Sequence, residues 1–163
     1  MFLGQGSFLG IPMAVWCMIA VAIIFHIFLE ETGTGRRSFA LGGNAEATRI
    51  SGINTNALLM LVYTLCAVLA GFAGIITASK LGVGQPTAGT GFETDAISAA
   101  VIGGASLSGG AGSGVGTVIG AAIIGVLRNA LVLLSVDSYW QMLIMGLVII
   151  GAVTLDQLRH AKK

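Results

Sequence analysis

Arg36, Arg37, Glu46 and Arg49 are half of the eight charged residues between positions 32 and 136. They crowd into one glycine-marked island, Gly35-Arg-Arg-Ser-Phe-Ala-Leu-Gly-Gly-Asn-Ala-Glu-Ala-Thr-Arg-Ile-Ser-Gly-Ile53, with long apolar runs on either side. Side chains of these types suit docking to a charged partner rather than bond-making. Asn44 is a good N-cap, and Glu46 would fall in the first turn, where a carboxylate complements the helix dipole. Gly52 suits a C-terminal stop. The pattern predicts a short helix around 45–51 that presents Arg49. The competing reading is a solvated loop whose arginines serve only topology.

Signatures of catalysis are missing. The run from Gly104 to Gly110 lacks the Lys-Ser/Thr pair that a phosphate-cradling loop needs. Two histidines leave little from which to build a Ser-His-Asp set or a metal cluster. Cys17 and Cys66 lie inside apolar runs, without metal-ligand spacing, and read as small buried hydrophobes rather than a disulfide. No catalytic residue, metal site or cofactor is expected. A net charge of +1 and the lack of a basic patch with interleaved aromatics give no reason to expect nucleic acid.

The elements that must position the island are membrane-grade. The chain of 163 residues is 55% hydrophobic and 9% charged, with 25 glycines and a mean hydropathy of +0.94. Soluble domains carry about 25% charged residues, so this chain cannot cover a water-exposed globule. High glycine content suits close packing of transmembrane helices. Residues 12–29, 57–79, 115–134 and 139–155 are long enough to span. The first could be mistaken for a signal peptide, but Glu30 and Glu31 stand where a small-residue cleavage site would.

Residues 95–107 are apolar but short, and they run into Ser108-Gly-Gly-Ala-Gly-Ser-Gly114. That pattern fits a short or broken helix, whose irregular backbone survives at membrane depth only where protein or a cavity satisfies it. Gly112, Gly116 and Gly120 recur every fourth residue and predict one flat helix face for packing. Arg128 and Asn129 interrupt a span, with Arg128 expected to snorkel toward the interface; His26 is expected to be interfacial.

The arginines of the island, with Arg159, Lys162 and Lys163, place the first loop and the C-terminus in the cytoplasm by the positive-inside rule. Parity then requires residues 95–107 to cross. The expected fold is an all-α polytopic transmembrane bundle with about five crossings, one short or broken. Residues 1–11 would be a periplasmic loop, so the chain reads as the second half of something longer.

Three ordered motifs carry a family resemblance. Residues 40–53 (Ala-Leu-Gly-Gly-Asn-Ala-Glu-Ala-Thr-Arg-Ile-Ser-Gly-Ile) resemble the cytoplasmic loop of ribose-type monosaccharide permeases of bacterial ABC importers. The stretch Ala78-Ser-Lys-Leu-Gly-Val-Gly-Gln-Pro-Thr-Ala-Gly-Thr-Gly-Phe-Glu-Thr-Asp-Ala-Ile-Ser-Ala-Ala-Val-Ile-Gly-Gly104 is similar to the segment beyond the next helix in those permeases. So is Gly103-Gly-Ala-Ser-Leu-Ser-Gly-Gly-Ala-Gly-Ser-Gly-Val-Gly-Thr-Val-Ile-Gly-Ala121. The resemblance runs from about Pro12 to Asp156. Such permeases are roughly twice this long, and the part without a counterpart here is their N-terminal half.

The resemblance implies that residues 1–163 are the C-terminal half of a permease domain in the bacterial inner membrane. It implies a multi-pass subunit with no chemistry of its own, working with a cytoplasmic ABC ATPase, a periplasmic sugar-binding protein, and a second permease copy or the missing half. The loop at about 30–56 would hold the coupling helix, with Arg37, Asn44, Glu46, Ala47, Arg49 and Gly52 at the ATPase contact. Gln85, Thr87, Thr90, Glu93 and Asp95 would form a periplasmic cluster suited to sugar hydroxyls or binding-protein docking, or simply an ordinary wet loop. The alternatives are a non-transporting truncated membrane scaffold, and a permease for another small solute such as branched-chain amino acids.

Overall fold

The computed structural model describes residues 6–8 and 10–160, and for Ser7 and 155–160 the backbone alone. The basic tail residues Arg159, Lys162 and Lys163, and residues 1–5 of the expected periplasmic loop, lie outside what it describes in full. The chain divides into two compact units, Met1–Gly91 and Phe92–Lys163.

The first unit opens with a small antiparallel pair, β1 (Ser7–Phe8) and β2 (Ile11–Pro12), with Phe8 opposite Ile11. Gly10, at φ +77°, makes the turn. The Phe8 and Trp16 rings meet edge to face at 6.4 Å. Helix α1 (Met13–Glu31) comes next, and none of its residues is buried. Helix α2 (Gly33–Gly43) then begins almost at once. Thr32 caps it, accepting the Gly35 N–H at 3.1 Å. Gly35 is buried where a Cβ would collide with the Phe28 and Leu29 carbonyls, so only glycine lets α2 fold back against the end of α1. Asn44 breaks the path, and α3 (Ala45–Ile50) starts in a new direction. Helix α4 (Thr55–Leu81) is 27 residues long, about 40 Å at 1.5 Å per residue. That exceeds the ~30 Å of bilayer hydrocarbon, so its ends reach the headgroups or it tilts. It ends on Gly82 at φ +72°.

The second unit is a helical hairpin with a third helix against it. Helix α5 (Phe92–Ile102) and α6 (Gly114–Leu133) run antiparallel, with Gly103 beside Gly116 and Ala99 beside Gly120. Ala99 and Ile124 form the buried core with Met145 of α7 (Ser138–His160), flanked by Ile102 and Leu127.

The loop between α5 and α6 satisfies itself. Ala105 N–H reaches back to Ala100 O at 2.9 Å across Gly104, which sits at φ +89°; this is the Schellman ending of a helix. Ser106 N–H then bonds Ala111 O at 2.9 Å. Irregular backbone with its own partners is what membrane depth demands.

Among the described residues three helices, α1, α4 and α6, are long and apolar enough to cross a membrane, and α7 adds a shorter apolar stretch, Ser138–Thr154. The helical bundle agrees with expectation. The short helix expected at 95–107 is present with its bounds shifted to Phe92–Ile102; at about 16 Å it covers half the hydrocarbon thickness. One detail is corrected. Gly112 is not on the helix face with Gly116 and Gly120, because Ser113 caps α6 and Gly112 precedes the cap.

Candidate functional site

The charged island is a pair of helices joined at one residue. Asn44 closes α2 by donating its N–H to Ala40 O at 3.0 Å. Its side chain opens α3, where Oδ1 accepts the Ala47 N–H at 2.9 Å. Its backbone carbonyl also accepts the Thr48 hydroxyl at 2.8 Å. One residue therefore ends one helix and starts the next, because the two terminal sets of unpaired groups meet there. Thr48 is buried, 5% exposed, and anchors the inner side of α3. Ser51 bonds Ala47 O at 2.9 Å. Gly52 comes next, in the left-handed region at φ +80°, as a helix C-terminus requires.

The outer side of α3 presents Glu46, Ala47, Arg49 and Ile50 to the surroundings. Among the described residues neither Glu46 nor Arg49 is in an ion pair. Ile50 is 78% exposed. A large apolar side chain is thus exposed beside two charges of opposite sign. The sequence reading missed Ile50, although an isoleucine in an otherwise polar island was the available signal. Arg37 lies on α2, exposed, one helix away.

The second polar set divides between the two units. Gln85, Thr87 and Thr90 occupy a turn of the first, where Gln85 Nε2 donates to Thr87 Oγ1 at 3.2 Å. Glu93 and Asp95 lie in the first turn of α5. Asp95 has a partner that the sequence reading did not assign: Arg128 of α6, at 2.8 and 3.2 Å to its two carboxylate oxygens. The arginine expected to snorkel instead clamps the start of α5. Arg128 stands one turn beyond Ile124, and its long side chain reaches across the hairpin. Opposite charges 33 residues apart are visible in sequence; that they face each other comes from the antiparallel register.

This pair should show itself in a double-mutant cycle. Asp95→Asn or Arg128→Gln alone leaves one charge unmatched, whereas the double variant leaves none. Thermal unfolding should therefore report that the double variant loses less than the sum of the singles, with a coupling of about 1 kcal/mol, at the upper end for an exposed surface pair. Additive losses would show that the contact carries no energy.

At the end of α1, His26 Nδ1 lies 3.2 Å from Glu30 Oε1, one turn on. The approach is close, but the atoms are not aligned as a hydrogen bond.

Comparison with known proteins completes the picture. The family model described as branched-chain amino acid transport system / permease component matches residues 2–153. The chain is 52% identical over 153 residues to ribose import permease protein RbsC of Escherichia coli K12, covering 94% of this chain and 48% of that protein. It is 47% identical over 158 residues to the RbsC protein of Bacillus subtilis, covering 97% and 49%. It is 42% identical over 152 residues to D-allose transport system permease protein AlsC of Escherichia coli K12, covering 93% and 47%. The chain thus spans about half the length of the curated relatives it matches. No solved structure matches it.

Proposed function

The chain belongs to the family of branched-chain amino acid transport system permease components, and from that premise we propose that it is half of the membrane permease of an ATP-driven monosaccharide importer, ribose-like in its cargo. The observation that carries the cargo class is the 52% identity to a ribose import permease over 94% of the chain; a relative named for D-allose gives the same class. The permease is set in the bacterial inner membrane with the island on the cytoplasmic side. It has no chemistry of its own, and ATP is hydrolysed by a partner.

In this reading α3 is the coupling helix. Glu46, Ala47, Arg49 and Ile50 enter a groove of the ATPase, while Asn44 and Gly52 fix the helix ends so that the side chains arrive in register. Arg37 flanks the contact. Gln85, Thr87, Thr90 and Glu93 face the periplasmic binding protein or the arriving sugar. Hydroxyl and amide groups are the donors and acceptors that sugar hydroxyls need.

The exposed apolar residues fit a half-permease. Gly71 and Gly74 on α4 and Gly146 and Gly151 on α7 have nothing within van der Waals reach of an added Cβ. Small residues on a transmembrane helix stabilise only when another helix lies against them.

Sugar uptake into vesicles reconstituted with binding protein and ATPase tests the proposal. The 163-residue chain alone should show no ATP-dependent uptake, and supplying the other permease half in trans should restore it. Robust uptake of ribose-class sugars by the chain alone would mean a self-sufficient oligomer instead. Orientation is checked separately, with Ser51→Cys in a background lacking Cys17 and Cys66. A membrane-impermeant thiol reagent should not label it from outside intact cells; labelling there reverses the topology.

A further inference from the structure

Beneath the island lies a cavity of about 430 Å³, formed within the first unit between α2, the turn after α3 and the start of α4. Its lip is polar: Thr34, Arg37, Ser51 and Asn54. Its floor is apolar: Ile53, Ala57, Leu58 and Leu61. No carboxylate lines it. Ser51 spends its hydroxyl on the Ala47 carbonyl, but two of the other donors are unspent. Among the described residues Arg37 is in no ion pair. Asn54 uses only its carbonyl oxygen, which accepts the Ala57 N–H at 3.1 Å, so its NH₂ group is free to donate. A guanidinium, an amide NH₂ and a hydroxyl lining one cavity without a counter-charge select an anion with several acceptor oxygens.

The apolar floor narrows the choice. Ala57, Leu58 and Leu61 belong to the first two turns of α4, the longest membrane-grade helix of the chain. The lip therefore sits at headgroup level and the floor where hydrocarbon begins. That polarity gradient is the one a glycerophospholipid presents, with phosphate above and acyl chain below, and basic pockets beside transmembrane helices take such headgroups. A free sugar phosphate would leave Leu61, 38% exposed, facing water. A protein groove-filler would meet a pocket floored by hydrocarbon-depth residues.

We propose that this cavity binds one anionic glycerophospholipid, its phosphate held by Arg37, Asn54 and Thr34 and one acyl chain lying on Ala57 and Leu61. The site rests on the chain being membrane-embedded, and not on α3 coupling to an ATPase. A bound lipid would tie the island to the bilayer surface and hold α2 against α4.

Native mass spectrometry of the full chain in detergent, without ATPase, tests the site. Phosphatidylglycerol, phosphatidylcholine and glycerol 3-phosphate are added separately. Phosphatidylglycerol should form a one-to-one adduct roughly tenfold more abundant than phosphatidylcholine, the size of one charge-assisted hydrogen bond. Arg37→Gln should bring it down to the phosphatidylcholine level. Arg36→Gln, the same charge change off the cavity, should not. Equal losses in both variants would mean diffuse attraction and overturn the site. Competition by glycerol 3-phosphate at the same concentration would make it a soluble-phosphate site and overturn the lipid assignment. If circular dichroism shows that Arg37→Gln unfolds the chain, Ala57→Trp fills the floor at unchanged charge; an adduct that survives it overturns the proposal. Loss of ATPase coupling in transport assays leaves all of these readouts untouched, so the two readings fail separately.

Discussion

Gly120→Leu should strip α5 from α6. A Cβ at Gly120 would collide with the Ala99 carbonyl oxygen and lie 2.9 Å from the Gly103 nitrogen. Both obstacles are backbone, so no side chain can swing aside. Overpacking of this kind costs roughly 1–3 kcal/mol, and more where helix axes must separate. The opposing gain in helix propensity on replacing glycine is at most about 1 kcal/mol, so the clash wins. The internal control is Gly125→Leu on the same helix, where an added Cβ meets nothing within 4 Å; it should be neutral or slightly stabilising. Hydrogen exchange in the assembled permease reads the difference. Protection of the α5 amides around Ala99 and Val101, both buried, should vanish in Gly120→Leu and persist in Gly125→Leu. Matching exchange in the two variants would mean that the close approach is not what seats the short helix.

Charge reversal on α3 should have the largest effect on transport. Glu46→Lys and Arg49→Glu each replace a free surface charge by its opposite, in a helix whose inner anchor, Thr48, and end caps are untouched. The fold should be unchanged, since both side chains are exposed and in no ion pair among the described residues. At a docking contact, a like-charge juxtaposition costs several kcal/mol, which is more than about a hundredfold in affinity. Each variant, placed in the complete transporter, should therefore lose sugar uptake and co-purify poorly with the ATPase, while the binding protein still docks. Ile50→Ala should weaken the same contact without altering charge. Normal uptake and normal ATPase retention in both reversal variants would remove α3 from the coupling role.

Much of this protein was legible before any coordinates. Composition and span length alone dictate helices in a bilayer, because no other arrangement hides so many apolar residues and still satisfies the backbone. The α3 helix was legible to within a residue, since Asn44, Glu46 and Gly52 are local signals acting over one or two turns. Helix α2 was not. Its four glycines, Gly33, Gly35, Gly42 and Gly43, read as a loop by propensity, each costing up to about 1 kcal/mol against alanine. The helix forms because Thr32 caps it and because Gly35 can press on the end of α1 where any Cβ would clash. A glycine that weakens a helix in isolation thus permits the contact that builds it.

The same division holds in the second unit. The glycine pattern announced close packing, yet the sequence could not say that Gly116 and Gly120 meet α5, nor that Gly112 falls outside the helix, because the Ser113 cap sets that boundary. Asp95 and Arg128 were each visible as charges, with no way to tell that they join. By itself the sequence determined the solvent, the helices and the polar island, all of which come from short-range preference and the energetics of burial in lipid. Only the tertiary structure decided which surfaces touch, where the cavity under Arg37 opens and which charge finds a partner, because each of these depends on residues brought together by chain direction and helix register, not by sequence distance.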